Sequence, residues 1–353
     1  MIENFFWRDK RIFITGHNGF KGTWLSLWLN HLGAHVSGYS LQPPTKPNLY
    51  DIVEIDQEVD SIIGDIRNQK ELESCLCESK PDIIFHFAAQ PLVRRSYIKP
   101  LETYETNVMG TANLLESALK CPSVRAIIVV TTDKCYDNKE WCWGYREVDA
   151  LGGMDPYSSS KACAELVTAA YRTSFFKSKG INIATARAGN VIGGGDWAQD
   201  RLIPDCMRAL ENSEEIIVRN PQAIRPWQHV LDALYGYLLL AEQLYKNEQP
   251  VDSAWNFGPD INAEISVAHI VQNICKLWGE NAAYHFESAN ALHEAKFLKV
   301  DNAKARQYLG WKPIWNIDES VKNTVEWYKA YLENADMKQL CLKQIDEYQG
   351  KIS

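Results

Sequence analysis

A short apolar run, Arg11 to Thr15, passes straight into glycines at positions 16, 19 and 22, and apolar residues then recur at helical spacing from Thr23 to Leu32. A strand, a glycine turn and a helix in direct succession leave few folds open. In this G-x-x-G-x-x-G spacing, Gly16 permits a tight turn, Gly19 lets the backbone approach a diphosphate, and Gly22 lets the helix pack against the strand. The amides at the helix start would then face an anion. Three glycines alone are equally compatible with an ordinary strand-to-helix turn, so the rest of the chain has to decide.

Five further strands fit His35 to Leu41, Val59 to Gly64, Asp82 to Ala88, Ala126 to Val130 and Ile181 to Arg187. Helical stretches separate most of them, among them Asn68 to Ser79, Pro100 to Leu119 and Tyr157 to Lys179. Strands that are apolar almost throughout, alternating with helices, predict an α/β fold: a doubly wound, Rossmann-like parallel sheet covered on both faces. After Arg187 the pattern shifts to glycines, prolines and short elements, with helices resuming at Leu202 to Leu210, Val230 to Tyr245, Val267 to Leu277, Glu319 to Tyr331 and Met337 to Tyr348. A dinucleotide-binding domain is expected over residues 1–188, with a segment near 229–258 returning to it. Residues 189–353 would form mainly a smaller substrate-binding lobe, closely packed against the first.

A chain of 353 residues, 46% hydrophobic, can bury a large core. Its net charge of -8, with both signs mixed along the chain, argues against nucleic-acid or anionic-membrane partners. The longest apolar run, Ala233 to Ala241, is bounded by Asp232 and Glu242 and falls short of the ~18 residues of a spanning helix. Met1 to Arg11 does not resemble a secretory signal. The nine cysteines show neither a disulfide framework nor zinc-ligand spacing, so reduced thiols, no metal and a cytoplasmic location are expected.

Tyr157 and Lys161 lie four apart, on one face of a helix. A lysine so placed can bind a nicotinamide ribose and lower the phenol pKa, letting the tyrosine take a hydroxyl proton. Thr131 or Thr132, ending the fifth strand, can hydrogen-bond the same hydroxyl, and Asp133-Lys134 follows at once. That pair is either an acid and a base or a strand-end salt bridge. Asp65 and Ile66, ending the third strand, suit an adenine ring, with helix capping the alternative for Asp65. Ala88 and Ala89 leave room for a ribose and nicotinamide, and Asn107 would fix nearby backbone or simply pack. NAD rather than NADP is expected, since the second strand ends in Tyr39-Ser40-Leu41 with no basic cluster for a 2'-phosphate.

Tyr157/Lys161 behind this nucleotide fold, with Thr132 upstream, resembles the extended short-chain dehydrogenase/reductase family, over roughly residues 10–335. Within it the chain looks most like the nucleotide-sugar 4,6-dehydratases, through Thr15-Gly16-His17-Asn18-Gly19-Phe20-Lys21-Gly22-Thr23-Trp24-Leu25, Thr131-Thr132-Asp133-Lys134-Cys135-Tyr136 and Gly189-Asn190-Val191-Ile192-Gly193-Gly194-Gly195-Asp196-Trp197. Lys134 replaces the glutamate of relatives acting on dTDP-sugars, which supports the CDP-sugar branch and CDP-glucose as substrate. The resemblance implies that His17, Asn18, Phe20 and Lys21 belong to the cofactor turn and that Tyr157 takes the proton of the sugar 4-hydroxyl as C4 is oxidised. Asp133 would then protonate the departing 6-hydroxyl and Lys134 take the C5 proton, with hydride finally returned to C6.

Arginines suit a diphosphate through bidentate contacts, and Arg201, Arg219 and Arg225 are candidates, Arg225 matching the family's phosphate arginine best. Asn190 and His293 are implied as further substrate contacts, whereas Trp197 and Trp227 read equally as packing. The family also implies a homodimer through the helices of Pro100 to Leu119 and Tyr157 to Lys179. A 4-epimerase, which needs Tyr157 and Lys161 but not Asp133-Lys134, and a 4,6-dehydratase for another nucleotide sugar are the competing activities. A noncatalytic nucleotide sensor is a further alternative, which the intact Thr132, Tyr157 and Lys161 disfavour.

Overall fold

Alternate side chains of a strand point to opposite faces of its sheet, and here each face is buried by a different set of helices. Ile12 and Ile14 join a core with Trp24, Trp28 and Leu238, while Phe13 between them joins Leu72, Leu76 and Leu114 on the other side. The computed structural model describes residues 4–260, 264–280, 282–287 and 297–352.

Twelve strands occur among these residues: β1 (Arg11–Thr15), β2 (His35–Ser40), β3 (Asp60–Ile63), β4 (Ile83–His86), β5 (Ala126–Val130), β6 (Asn182–Ala188), β7 (Asn190–Ile192), β8 (Ile216–Val218), β9 (Ile224–His229), β10 (Ala254–Phe257), β11 (Glu264–Ser266) and β12 (Tyr284–Phe286). Seven form one parallel sheet in the order β10-β6-β5-β4-β1-β2-β3. The order reverses between β1 and β4, which opens the ligand crevice of doubly wound folds at the carboxyl ends of those strands. β9 sits between β7, parallel to it, and β11, antiparallel, in a separate small sheet; β8 and β12 make a third.

The six strands expected from the sequence are present, and β10 is a seventh. Ala254-Trp255-Asn256-Phe257 is too short and too closely followed by Gly258-Pro259 to read as a strand, yet it pairs with β6. The apolar helix Val230–Lys246 packs under the same sheet and is not membrane-spanning. No helix among the described residues is long and apolar enough to cross a membrane. Short helices at Val93–Ile98 and Ala303–Leu309 carried no sequence signal.

Two further details depart from expectation. The helix expected from Pro100 contains one wide turn at Glu105–Met109 before continuing as Gly110–Ala118. Such turns recur where a helix must offer a side chain to a site. The thiols are not all reduced: Cys77, near the end of helix Gln69–Ser79, is disulfide-bonded to Cys121, just beyond helix Gly110–Ala118. The two helices are neighbours on one face of the sheet, and a separation of 44 residues gave no hint of it.

Candidate active site

The turn after β1 is shaped by what its glycines lack. Gly16 has φ +77°, and a Cβ on it would lie 2.7 Å from the Ala88 nitrogen; one on Gly22 would lie 2.1 Å from the Gly16 carbonyl oxygen. Gly19 is different: its Cβ would meet only the Gly16 oxygen, at 3.4 Å, because the space in front of it is open. Gly19 caps helix Phe20–His31 with no side chain of its own, so the first helical amides face that space. His17 is turned inward rather than toward the crevice, bonded to Ser40 at 2.9 Å and Ser61 at 2.7 Å, and burial lowers its pKa to about 4. Asn18 donates to the Leu41 carbonyl at 2.5 Å. Both brace the turn against the ends of β2 and β3.

Around this turn lie the other cofactor candidates. Ala88 donates its N–H to Thr15 Oγ1. Asn107, in the wide helical turn, accepts from the Gln90 N–H at 2.8 Å and donates to the Gln90 carbonyl and to Ser160 Oγ, fixing the backbone that follows β4. Ile66 is buried against Gly110. Asp65 does not cap the next helix, a role Asn68 takes; its carboxylate is held by Arg67 through side-chain and backbone N–H groups, which lowers its pKa.

Thr132 and Asp133 leave the end of β5, facing Tyr157 and Lys161 on helix Pro156–Tyr171. That helix starts where the Asp155 carboxylate accepts the Ser158 N–H, with Pro156 in its first turn. Thr132 Oγ1 donates to Asp133 Oδ1 at 3.0 Å, while Oδ2, buried, has no hydrogen-bond partner among the described residues. Burial raises the Asp133 pKa, against the pull of Lys134, Thr132, Arg225 and Lys21. The Tyr157 phenol is pushed up to about 12 by burial, against the Thr132 hydroxyl and the Arg201 charge. Lys161 donates to the Val130 carbonyl at 3.2 Å, and burial lowers it to about 8. Lys21 is lowered to about 7 by burial and by the charge of Arg201, with Asp133 opposing. A carboxyl with a raised pKa, a phenol and two amines are thus buried within electrostatic reach of one another.

Arg201 pairs with Asp196 at 2.8 Å, and its charge reaches Tyr157. Arg225, buried on β9, acts on Asp133; Asn190 lies beside it on β7, in register with Trp227. Arg225 also borders a cavity of about 600 Å³ walled in part by Trp141, Trp143, Leu298 and Val300. Arg219 is not drawn into this group: half exposed, it lies 3.9 Å from Asp200. His293 falls outside the described residues. Trp197 and Trp227 are packing residues, the first edge-on to Trp327 and Tyr328, the second donating to the Ile265 carbonyl.

Three charged residues escaped the sequence reading. Asp196 holds Arg201, and a buried Glu165–Arg187 pair sits directly behind the catalytic candidates. Glu165 had a signal, since Tyr157, Lys161 and Glu165 recur every fourth residue on one helix face.

Comparison with known proteins shows the family and the fold. The family described as GDP-mannose 4,6 dehydratase matches residues 13–324. A CDP-glucose 4,6-dehydratase from Salmonella typhimurium is 50% identical over 353 residues, covering 99% of this chain and 98% of that protein. Among solved structures, a dTDP-glucose 4,6-dehydratase from Bacillus anthracis in complex with NAD superimposes with a TM-score of 0.76 at 22% identity, covering 93% of this chain and 99% of its own. A UDP-glucose 4-epimerase from Thermotoga maritima, solved with UDP-glucose, gives 0.78 at 21%, covering 91% and 99%. At such identities these two likenesses concern the fold alone. The family match and the half-identical relative place the chain in the GDP-mannose 4,6 dehydratase family, among the extended short-chain dehydrogenases/reductases.

Proposed function

We propose that the chain converts CDP-glucose to CDP-4-keto-6-deoxyglucose with NAD as cofactor. The observation that carries this reading is Asp133: a buried carboxyl, one oxygen unpartnered, its pKa raised, beside Tyr157. Oxidation at C4 alone needs no such acid, whereas removal of a hydroxyl does. The half-identical relative named for this activity supports the CDP-glucose assignment.

The turn after β1 fits a dinucleotide diphosphate, because only at Gly19 is there room in front of the helical amides, while Gly16 and Gly22 admit no side chain. Bound there, NAD supplies a two-electron acceptor for hydride from the sugar C4, with return at C6. Tyr157 takes the proton of the 4-hydroxyl, and the positive charge of Lys161 stabilises the phenolate. The ketone so formed acidifies the C5 proton, which Lys134 removes as Asp133 protonates the departing 6-hydroxyl; Lys134 gives the proton back to C5 when C6 is reduced. Arg225, Arg201 and Asn190 hold the substrate diphosphate, and the cavity beside Arg225 gives space to the nucleoside. A homodimer is supported by Leu101, Met109 and Leu166, exposed apolar residues on the helical stretches expected to pair.

The test is incubation with CDP-glucose and NAD, with product mass and C4 oxidation followed for the parent and for Asp133→Asn. The parent should release a 4-keto product lighter by one water. Asp133→Asn should still oxidise C4 but lose water roughly 100- to 10,000-fold more slowly. Undiminished water loss in Asp133→Asn overturns the assignment, and a product of unchanged mass establishes a 4-epimerase instead.

A further inference from the structure

We infer that Glu165 is a positioning residue for the catalytic pair: its carboxylate pins the end of β5 to the helix bearing Tyr157 and Lys161 and places a negative charge one helical turn behind Lys161. The inference deepens the proposed reaction and rests on that reading of Tyr157 and Lys161.

All four donors around this carboxylate come from the strands that end at the site. Oε1 accepts from Thr131 Oγ1 at 2.5 Å and from Arg187 Nε at 2.9 Å; Oε2 accepts from Thr185 Oγ1 at 2.6 Å and from an Arg187 terminal nitrogen at 2.8 Å. Glu165 is 4% exposed and Arg187 3%. The Thr131 hydroxyl thus donates away from the reacting centre, to Glu165, whereas the Thr132 hydroxyl donates to Asp133 and acts on Tyr157. Lys161, one turn earlier, bonds the carbonyl of Val130, so consecutive strand residues are gripped by consecutive turns of one helix. The gap between Asp133, just beyond the strand, and Tyr157 on the helix is thereby set by two hydrogen bonds rather than by loose packing.

A buried ion pair contributes little net stability compared with apolar residues of similar shape, so stability alone does not account for it. Its charge has a local effect. The groups acting on or influenced by Lys161 are Glu165 on its own helix, Cys135 just after β5, His86 on β4 and Lys21 on helix Phe20–His31. His86 has its pKa lowered to about 3 and is neutral; Cys135 is buried with a raised pKa. Glu165 alone of these is an anion, and it opposes the burial that lowers Lys161. Arg187 neutralises the far side of the carboxylate and donates on to the Tyr136 hydroxyl, which donates to Asn256 of β10.

The decisive measurement is the titration of Lys161 itself, by the pH dependence of its acylation with an amine reagent, read by peptide mass spectrometry in Glu165→Gln and the parent. This readout does not depend on CDP-glucose turnover, so an inactive parent counts against the proposed reaction without touching Glu165. Half-maximal reactivity, near pH 8 in the parent, should move down by about one pH unit or more when the anion is lost. With substrate, C4 oxidation should slow roughly 10- to 100-fold with KM changed less than about threefold, and its alkaline limb should move the same way. Glu165→Asp should keep the alkaline limb but not the rate, separating charge from reach. Should Arg187 left alone prevent folding, Glu165→Gln/Arg187→Met removes both charges and is expected to shift Lys161 the same way by a smaller amount, because the repulsion of Arg187 is removed with the carboxylate. A folded variant without the carboxylate whose Lys161 titration matches the parent overturns the inference.

Discussion

Replacing Gly22 by alanine tests whether the turn after β1 is built to receive a diphosphate. The new methyl would sit 2.1 Å from the Gly16 oxygen and 2.8 Å from the His17 Cα, where ordinary contact begins at 3.4 Å. Both neighbours are backbone, so the helix start must move outward by about an ångström; overpacking of this kind costs about 1–3 kcal/mol. The amides at that helix start would move with it, and a displacement of this size costs about 100-fold in a positioned interaction. Gly19→Ala is the control, since its methyl meets only the Gly16 oxygen, at 3.4 Å, and otherwise projects into the open crevice. It should leave unfolding in denaturant within ~0.5 kcal/mol of the parent yet weaken NAD binding, whereas Gly22→Ala should lose both. Calorimetric titration with NAD and urea unfolding of the same preparations read the two effects. If Gly22→Ala binds NAD like the parent, or if Gly19→Ala does, the diphosphate is not where this geometry puts it.

Two other perturbations act away from the crevice. Burial pushes the Asp232 carboxyl up to about 7, although Tyr348 and the Ile314 N–H donate to it and oppose the rise. The unfolded value is about 3.9. Between the two, the folded protein keeps a proton that the unfolded chain has released, so stability falls as pH rises from about 4 to about 7 and is unaffected by this group below that window. Asp232→Asn carries no such proton, so its thermal midpoint should gain on the parent's between pH 5 and pH 8; an equal gap at both refutes the account. The Cys77–Cys121 bond closes a loop of 44 residues, so Cys77→Ser should cost about 2–4 kcal/mol in non-reducing urea unfolding. The same substitution should cost little when the parent is measured with dithiothreitol, and a difference that persists under reduction would show that the link is not what stabilises the two helices.

Local signals in the sequence located the parts of the site that are local in the chain. The turn at Gly16 follows directly on β1, and Tyr157 and Lys161 share a helix face, so spacing together with the alternation of strands and helices was enough to single them out. For Asn107 the sequence left backbone-holding and simple packing open, and the wide turn that aims it at Gln90 carried no signal. What escaped depends on contacts across long separations. Arg187 read as the last residue of a strand until its partner on another element was visible, and β10 is recognisable only by pairing with β6. Cys77 and Cys121 meet because their helices lie side by side, which no spacing rule encodes. His17 looked like a phosphate neighbour by position, but serines on β2 and β3 claim both ring nitrogens.

The placement of β10 has a consequence for how this chain is made. A ribosome that has released residues as far as Ala188 has delivered six strands, with the outer rim of β6 exposed and its hydrogen-bonding groups open to another chain. That rim is sealed only when Ala254 to Phe257 emerge, after the whole of helix Val230–Lys246. The nascent protein therefore passes through a sticky interval, and a truncation placed after β6 would make that interval permanent.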